Sequence, residues 1–94
     1  MRPQDEALRR LAKVEPFYRD GVAWYNARDV CEALGARYAY TYRWIAPEHK
    51  RMVRREVRKY AHTRVAYVDA DGVAEIVRRR GWLSQSAALA ALAK

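Results

Sequence analysis

The chain has 94 residues, 51% of them hydrophobic and 32% charged, with 19 Lys and Arg against 11 Asp and Glu for a net charge of +8. That length suits one domain with a modest core, and the balance of apolar and charged residues excludes a disordered chain. No apolar run approaches the roughly 20 residues of a membrane span, the charged N-terminus reads as a helix rather than a secretory signal, and the single cysteine, Cys31, has no partner for an internal disulfide, which suits a reducing cytoplasm.

In chain order, the spacing predicts a first helix from Pro3 to Val14. Pro3 suits a first turn, Asp5 and Glu6 complement the positive end of the helix dipole, and Leu8, Leu11 and Ala12 share a face. Glu15-Pro16 ends it. Phe17-Tyr18 and Val22-Ala23-Trp24-Tyr25 flank Arg19-Asp20-Gly21, and Asp-Gly between two such runs predicts a hairpin. Asn26 is a good N-cap. Ala27, Val30, Cys31 and Leu34 recur at i, i+3, i+4, i+7, and Gly35 falls where a left-handed cap belongs. Tyr38 to Ile45 form a second helix, with Pro47 just beyond. Helix, tight glycine turn and helix is the sequence shape of a helix-turn-helix.

Two strands follow, Met52 to Val57 with Val53, Arg55 and Val57 on one side, and Arg64 to Val68. Residues 58–63, basic and polar, read as the loop between them, so the pair has the look of a wing. Asp69 caps a further helix whose apolar face is Val73, Ile76 and Val77, ended by Gly81. Ser84 caps a last helix rich in Ala and Leu, which serves either as a dimer contact or as part of the domain's own core. The expected fold is a single α+β domain over residues 1–94: a small winged helix-turn-helix with β-hairpins, an N-terminal helix (1–16), a central core (17–80) and a C-terminal helix (81–94).

The charge is unevenly spread. Residues 1–36 are neutral, 37–64 carry +7 and 65–94 carry +1. A localised excess of this kind marks a polyanion footprint; the competing explanations are an Arg-rich composition or a solvated face with no partner. Within it, two faces of the second helix can pack inward: Tyr40, Trp44 and Ile45, or Tyr38, Tyr42 and Ile45. The first is the expected core, which leaves Arg37, Tyr38, Thr41, Tyr42 and Arg43 for contact. A helix fits the major groove of DNA, where Arg donates a bidentate pair to guanine and Tyr and Thr reach phosphates or thymine methyls. The basic run Lys50, Arg51, Arg54, Arg55, Arg58 and Lys59, with Arg64 as a seventh cation, suits the phosphate backbone or a minor groove. Arg78, Arg79 and Arg80 fall in the last turn of a helix, where cations complement the dipole. His49 and His62 lack metal-ligand spacing, and Asp69 and Asp71 read as helix-capping residues. Neither a nucleophile elbow nor a glycine-rich phosphate loop is present, so neither an enzyme nor a cofactor is expected.

The segment Gly21 to Gly35 (GVAWYNARDVCEALG) resembles the opening of the Bro-N domain of phage antirepressors and baculovirus Bro proteins, in which an aromatic strand leads into an Ala-x-Asp-Val helix ending in Leu-Gly. Ile45 to Arg51 (IAPEHKR) and Val65 to Arg80 (VAYVDADGVAEIVRRR) resemble later pieces of that domain, so the likeness spans residues 17–80 in order. It implies a DNA-binding α+β domain of phage or prophage origin acting in transcription regulation at the host nucleoid. The second domain that antirepressors carry is not expected within these residues. Tyr42-Arg43-Trp44 is also similar to the helix-turn-helix of the MerR and excisionase class. The expected partners are double-stranded DNA and a second copy of the chain, with RNA as a further polyanion and no membrane. The alternative reading is a small phage-encoded protein that binds a host protein through its tyrosines, Tyr18, Tyr38, Tyr42 and Tyr60, and its basic face.

Overall fold

Asp20 and Gly21 both take positive φ, 54° and 78°, the backbone of a type I′ turn whose twist suits two antiparallel strands. They join β1 (Pro16–Arg19) to β2 (Val22–Asn26). The computed structural model describes residues 2–58 and 61–93, with the side chains of 55–58 and 61–62 outside that description. Around the first hairpin the chain runs α1 (Pro3–Leu11), β1, β2, α2 (Ala27–Leu34), α3 (Tyr38–Trp44), a 3₁₀ turn (Pro47–His49), β3 (Lys50–Arg58), β4 (Ala61–Val68), α4 (Ala70–Arg80) and α5 (Gln85–Ala93). The result is a small α+β domain with one antiparallel sheet in the order β1-β2-β4-β3.

Among the described residues two rungs, Tyr25↔Val68 and Asn26↔Tyr67, join the hairpins into that sheet. β1 and β3 are therefore its edges. Directly opposed residues share a face, so the register sorts the side chains. Tyr25, Ala66 and Val68 line the face that carries the helices and belong to the main core. Leu11, Val30, Leu34, Ile45, Val73, Ile76 and Val77 meet them there, each at most 2% exposed. Phe17, Trp24, Tyr67 and Arg51 line the opposite face. Trp24 and Tyr67 are buried outside the main core, with the Phe17 and Tyr67 rings 5.2 Å apart and the Arg51 guanidinium 4.9 Å from the Trp24 ring centroid.

The caps form where the sequence places them. Asn26 Oδ1 accepts from the N–H groups of Arg28 and Asp29, at 2.9 and 3.2 Å. Gly35 at φ 68° lets Ala36 N–H return to the Cys31 carbonyl at 2.8 Å, a Schellman closure. Two expectations change. α1 stops at Leu11 rather than Val14, because Lys13 and Val14 bond back to Arg10 and Leu11 in tighter i→i−3 turns. The polar stretch 58–63 is mostly strand: Thr63, His62 and Ala61 pair with Arg55, Glu56 and Arg58, around an irregularity between Glu56 and Arg58. Alternation cannot reveal a strand whose sequence, Arg58 to Thr63, is basic and polar with no apolar-polar period. Lys59 and Tyr60 lie outside the described residues. α5 packs on α1 and α4, burying Ala88 and Leu92, so its apolar side serves the domain's own core. Among the described residues no helix is long and apolar enough to cross a membrane.

One joint holds the 3₁₀ turn, β4 and α4 together. Asp69 Oδ1 accepts from the Gly72 N–H at 2.8 Å, which caps α4. Asp69 Oδ2 pairs with His49 Nδ1 at 3.0 Å, and Asp69 N–H donates to the His49 carbonyl at 3.1 Å. Gly72 is needed for the close fit: a Cβ there would stand 2.9 Å from the His49 carbonyl oxygen and 3.0 Å from Val68 Cβ. Gly72→Ala is expected to cost about 1–3 kcal/mol by overpacking, read as a lower denaturant midpoint. The hydrogen bond to Asp69 is the largest influence raising the His49 pKa above its ordinary 6.5. A raised folded-state pKa gives stability that is present below the unfolded value and is lost as pH rises through the folded one. Thermal stability should therefore fall as pH rises from the ordinary imidazole range through the raised pKa. His49→Gln, which keeps a donor but does not titrate, should flatten that dependence; an unchanged slope would refute the assignment.

Candidate nucleic-acid interface

α3 presents two unlike sides. Tyr38 and Tyr42 are half-buried against the core, with ring centroids 5.7 Å apart, and Ile45 beside them is 2% exposed. Each tyrosine ring is covered by a cation: Arg28 lies 4.4 Å from the Tyr38 centroid and Lys50 Nζ 4.9 Å from that of Tyr42. Burial, with Tyr38 nearby, raises the Tyr42 pKa. The other side carries Tyr40 and Trp44, 64% and 50% exposed, in edge-to-face contact at 6.0 Å. The inward face expected from the sequence, Tyr40 with Trp44, is thus the outward one. Both faces have the same aromatic spacing, and what distinguishes them, the core packing of Tyr38 and Tyr42 and the cations Arg28 and Lys50 over their rings, comes from other elements.

The sequence-predicted residues divide accordingly. Arg37 and Arg43 are exposed at the two ends of α3, while Thr41 is half-buried. Lys50 is engaged within the fold: its Nζ donates to the Tyr42 carbonyl at 3.0 Å and reaches the Arg43 carbonyl at 3.5 Å, where a cation complements the negative end of a helix. Arg51 lies over Trp24 on the far face of the sheet. Arg54 and Arg64 are exposed and directly opposed across β3 and β4. They occupy the helix-bearing side of the sheet, the side from which Lys50 reaches α3. Neither makes an ion pair among the described residues. Arg55 and Arg58 hold β3 positions opposite Thr63 and Ala61, and Lys59 lies outside the described residues. The exposed cations thus fall in two places, Arg37 and Arg43 at the ends of α3 beside the outward Tyr40 and Trp44, and Arg54 with Arg64 on the hairpin.

His49, Asp69 and Asp71 bring metal-ligand atoms within 4.8 Å of one another, but both Asp69 oxygens are already engaged by Gly72 and His49. The cluster is explained as the structural joint. The Cys31 thiol is buried and its pKa is pushed up to about 11 by desolvation, so it is inert at neutral pH. No known protein family, characterised protein or solved structure matches the chain. The two tyrosines of α3 separate core from surface in a direct test. Tyr42→Ala should lose about 2 kcal/mol, roughly half the ~3–5 of a fully buried aromatic, while Tyr40→Ala should stay within about 0.5 kcal/mol in urea unfolding.

Proposed function

We propose that this domain binds double-stranded DNA as a winged helix-turn-helix regulator of Bro-N type, with the outer side of α3 in the major groove and the β3–β4 hairpin on flanking phosphates. The observation that carries this is the Arg54–Arg64 rung. Like charges directly opposed in a sheet oppose its pairing, and neither arginine makes an ion pair with a residue whose side chain is described; the one acid on β3, Glu56, has its side chain outside that description. An external polyanion is the natural counter-charge. The +7 excess of residues 37–64 falls on α3, the turn after it and the hairpin, on elements that Lys50 ties together.

Specificity in this arrangement belongs to the exposed Arg43 at the end of α3, and affinity to the hairpin cations. Replacing Arg54 and Arg64 with Ala should weaken binding to every duplex sequence and reduce the salt slope by about 0.9 for each lost phosphate contact. Replacing Arg43 should shift sequence preference in a genomic-fragment selection at two salt concentrations. Unchanged affinity and salt slope in the first pair rule out the hairpin as a DNA surface. The exposed Tyr40–Trp44 pair beside arginines favours one second reading, a protein partner, since Trp, Tyr and Arg dominate interface anchors. Protein purified without nuclease decides between them: co-purifying nucleic acid, seen as a raised 260/280 nm absorbance ratio, supports the first.

A further inference from the structure

Between the outer side of α3 and the last turn of α4 lies a cleft of about 650 Å³, within the ~300–1,000 Å³ typical of small-molecule sites. Its floor includes the fully buried Ile76. Tyr40 and Trp44 line it from α3, Arg79 and Arg80 from α4, and Arg37 from the start of α3. Arg80 lies across the α2–α3 turn, one of its guanidinium nitrogens 3.7 Å from where a Gly35 Cβ would be. The Arg79 guanidinium is 5.7 Å from the Trp44 ring centroid and is answered by Glu75 at 3.2 Å. Arg37 and Arg80 make no ion pair among the described residues, and no acid lines the cleft.

Two exposed aromatic rings and two unanswered guanidinium groups around one concavity suit a ligand with a flat π system and an anion a few atoms away. We infer that the cleft binds one unpaired nucleotide, its base against Trp44 and Tyr40 and its phosphate on Arg37 and Arg80. This deepens the DNA-binding reading: the nucleotide comes from a strand end or an unpaired position in the bound DNA. A free mononucleotide shares the chemistry and is distinguished by the test.

Anisotropy titrations would compare a blunt duplex with the same duplex bearing one 3′ unpaired adenosine, and tryptophan quenching would follow AMP alone. The overhang should tighten binding about tenfold, which is within what stacking one base on an aromatic supplies. Arg80→Ala should remove that gain and leave blunt-duplex affinity unchanged, because Arg80 is not among the duplex contacts. Equal affinity for both duplexes, or a gain that survives in Arg80→Ala, overturns the cleft assignment and leaves duplex binding standing. AMP quenching that is lost in Arg80→Ala, with neither duplex bound, supports the cleft with a free nucleotide as its source and overturns the duplex reading. No binding to either duplex or to AMP overturns both.

Discussion

The arrangement of this domain depends on one carboxylate. Asp69 sits where β4 passes into α4, and its two oxygens face different elements. One caps α4 through the Gly72 N–H; the other holds His49, the last residue of the 3₁₀ turn between α3 and β3. A buried or half-buried carboxylate is tolerable when its oxygens are hydrogen-bonded, and here both are. α3 enters the 3₁₀ turn, the 3₁₀ turn enters β3, and the turn is fixed to α4 at a distance that only glycine at position 72 allows. The turn between helix and hairpin is therefore tied to α4 by a short polar joint, beside the buried Ile45.

Lys50 supplies the second constraint. Its ammonium group closes the carbonyl end of α3 and covers the Tyr42 ring. It is the first residue of the hairpin and also part of the helix it follows. A cation that reads from sequence as one more phosphate contact works here as a clamp, leaving Arg54 and Arg64 farther along the hairpin to face outward. The sheet divides its labour in the same way. One side gives Tyr25, Ala66 and Val68 to the main core, and the other holds Trp24 and Tyr67 under Arg51.

Local signals with a direct mechanism were legible in the sequence. Asn26, Gly35, Asp69 and Gly81 cap or end helices as their chemistry dictates, and Asp20-Gly21 turns the first hairpin. The apolar face of α4 was equally plain, since Val73, Ile76 and Val77 are fully buried. What was not legible depends on distant partners. The inward face of α3 packs on core residues of other elements and lies under Arg28 and Lys50, all from outside the helix. The pairing of Asp69 with His49 spans 20 residues, and a lone histidine carries no mark of it. The polar end of the hairpin has no period-two signal because its residues 58–63 do not alternate between apolar and polar. The candidate surface was thus half visible: its charge could be counted, but its exposed aromatics were hidden by the habit of reading aromatics as core.

The sheet order leaves β3 as an open edge. Such an edge offers unpaired backbone groups to any other strand, including the same edge of a second molecule. Lys50, Arg51, Arg54, Arg55 and Arg58 all fall on that strand, and their mutual repulsion keeps two such edges apart. The cations of β3 therefore guard an edge that would otherwise pair with a copy of itself.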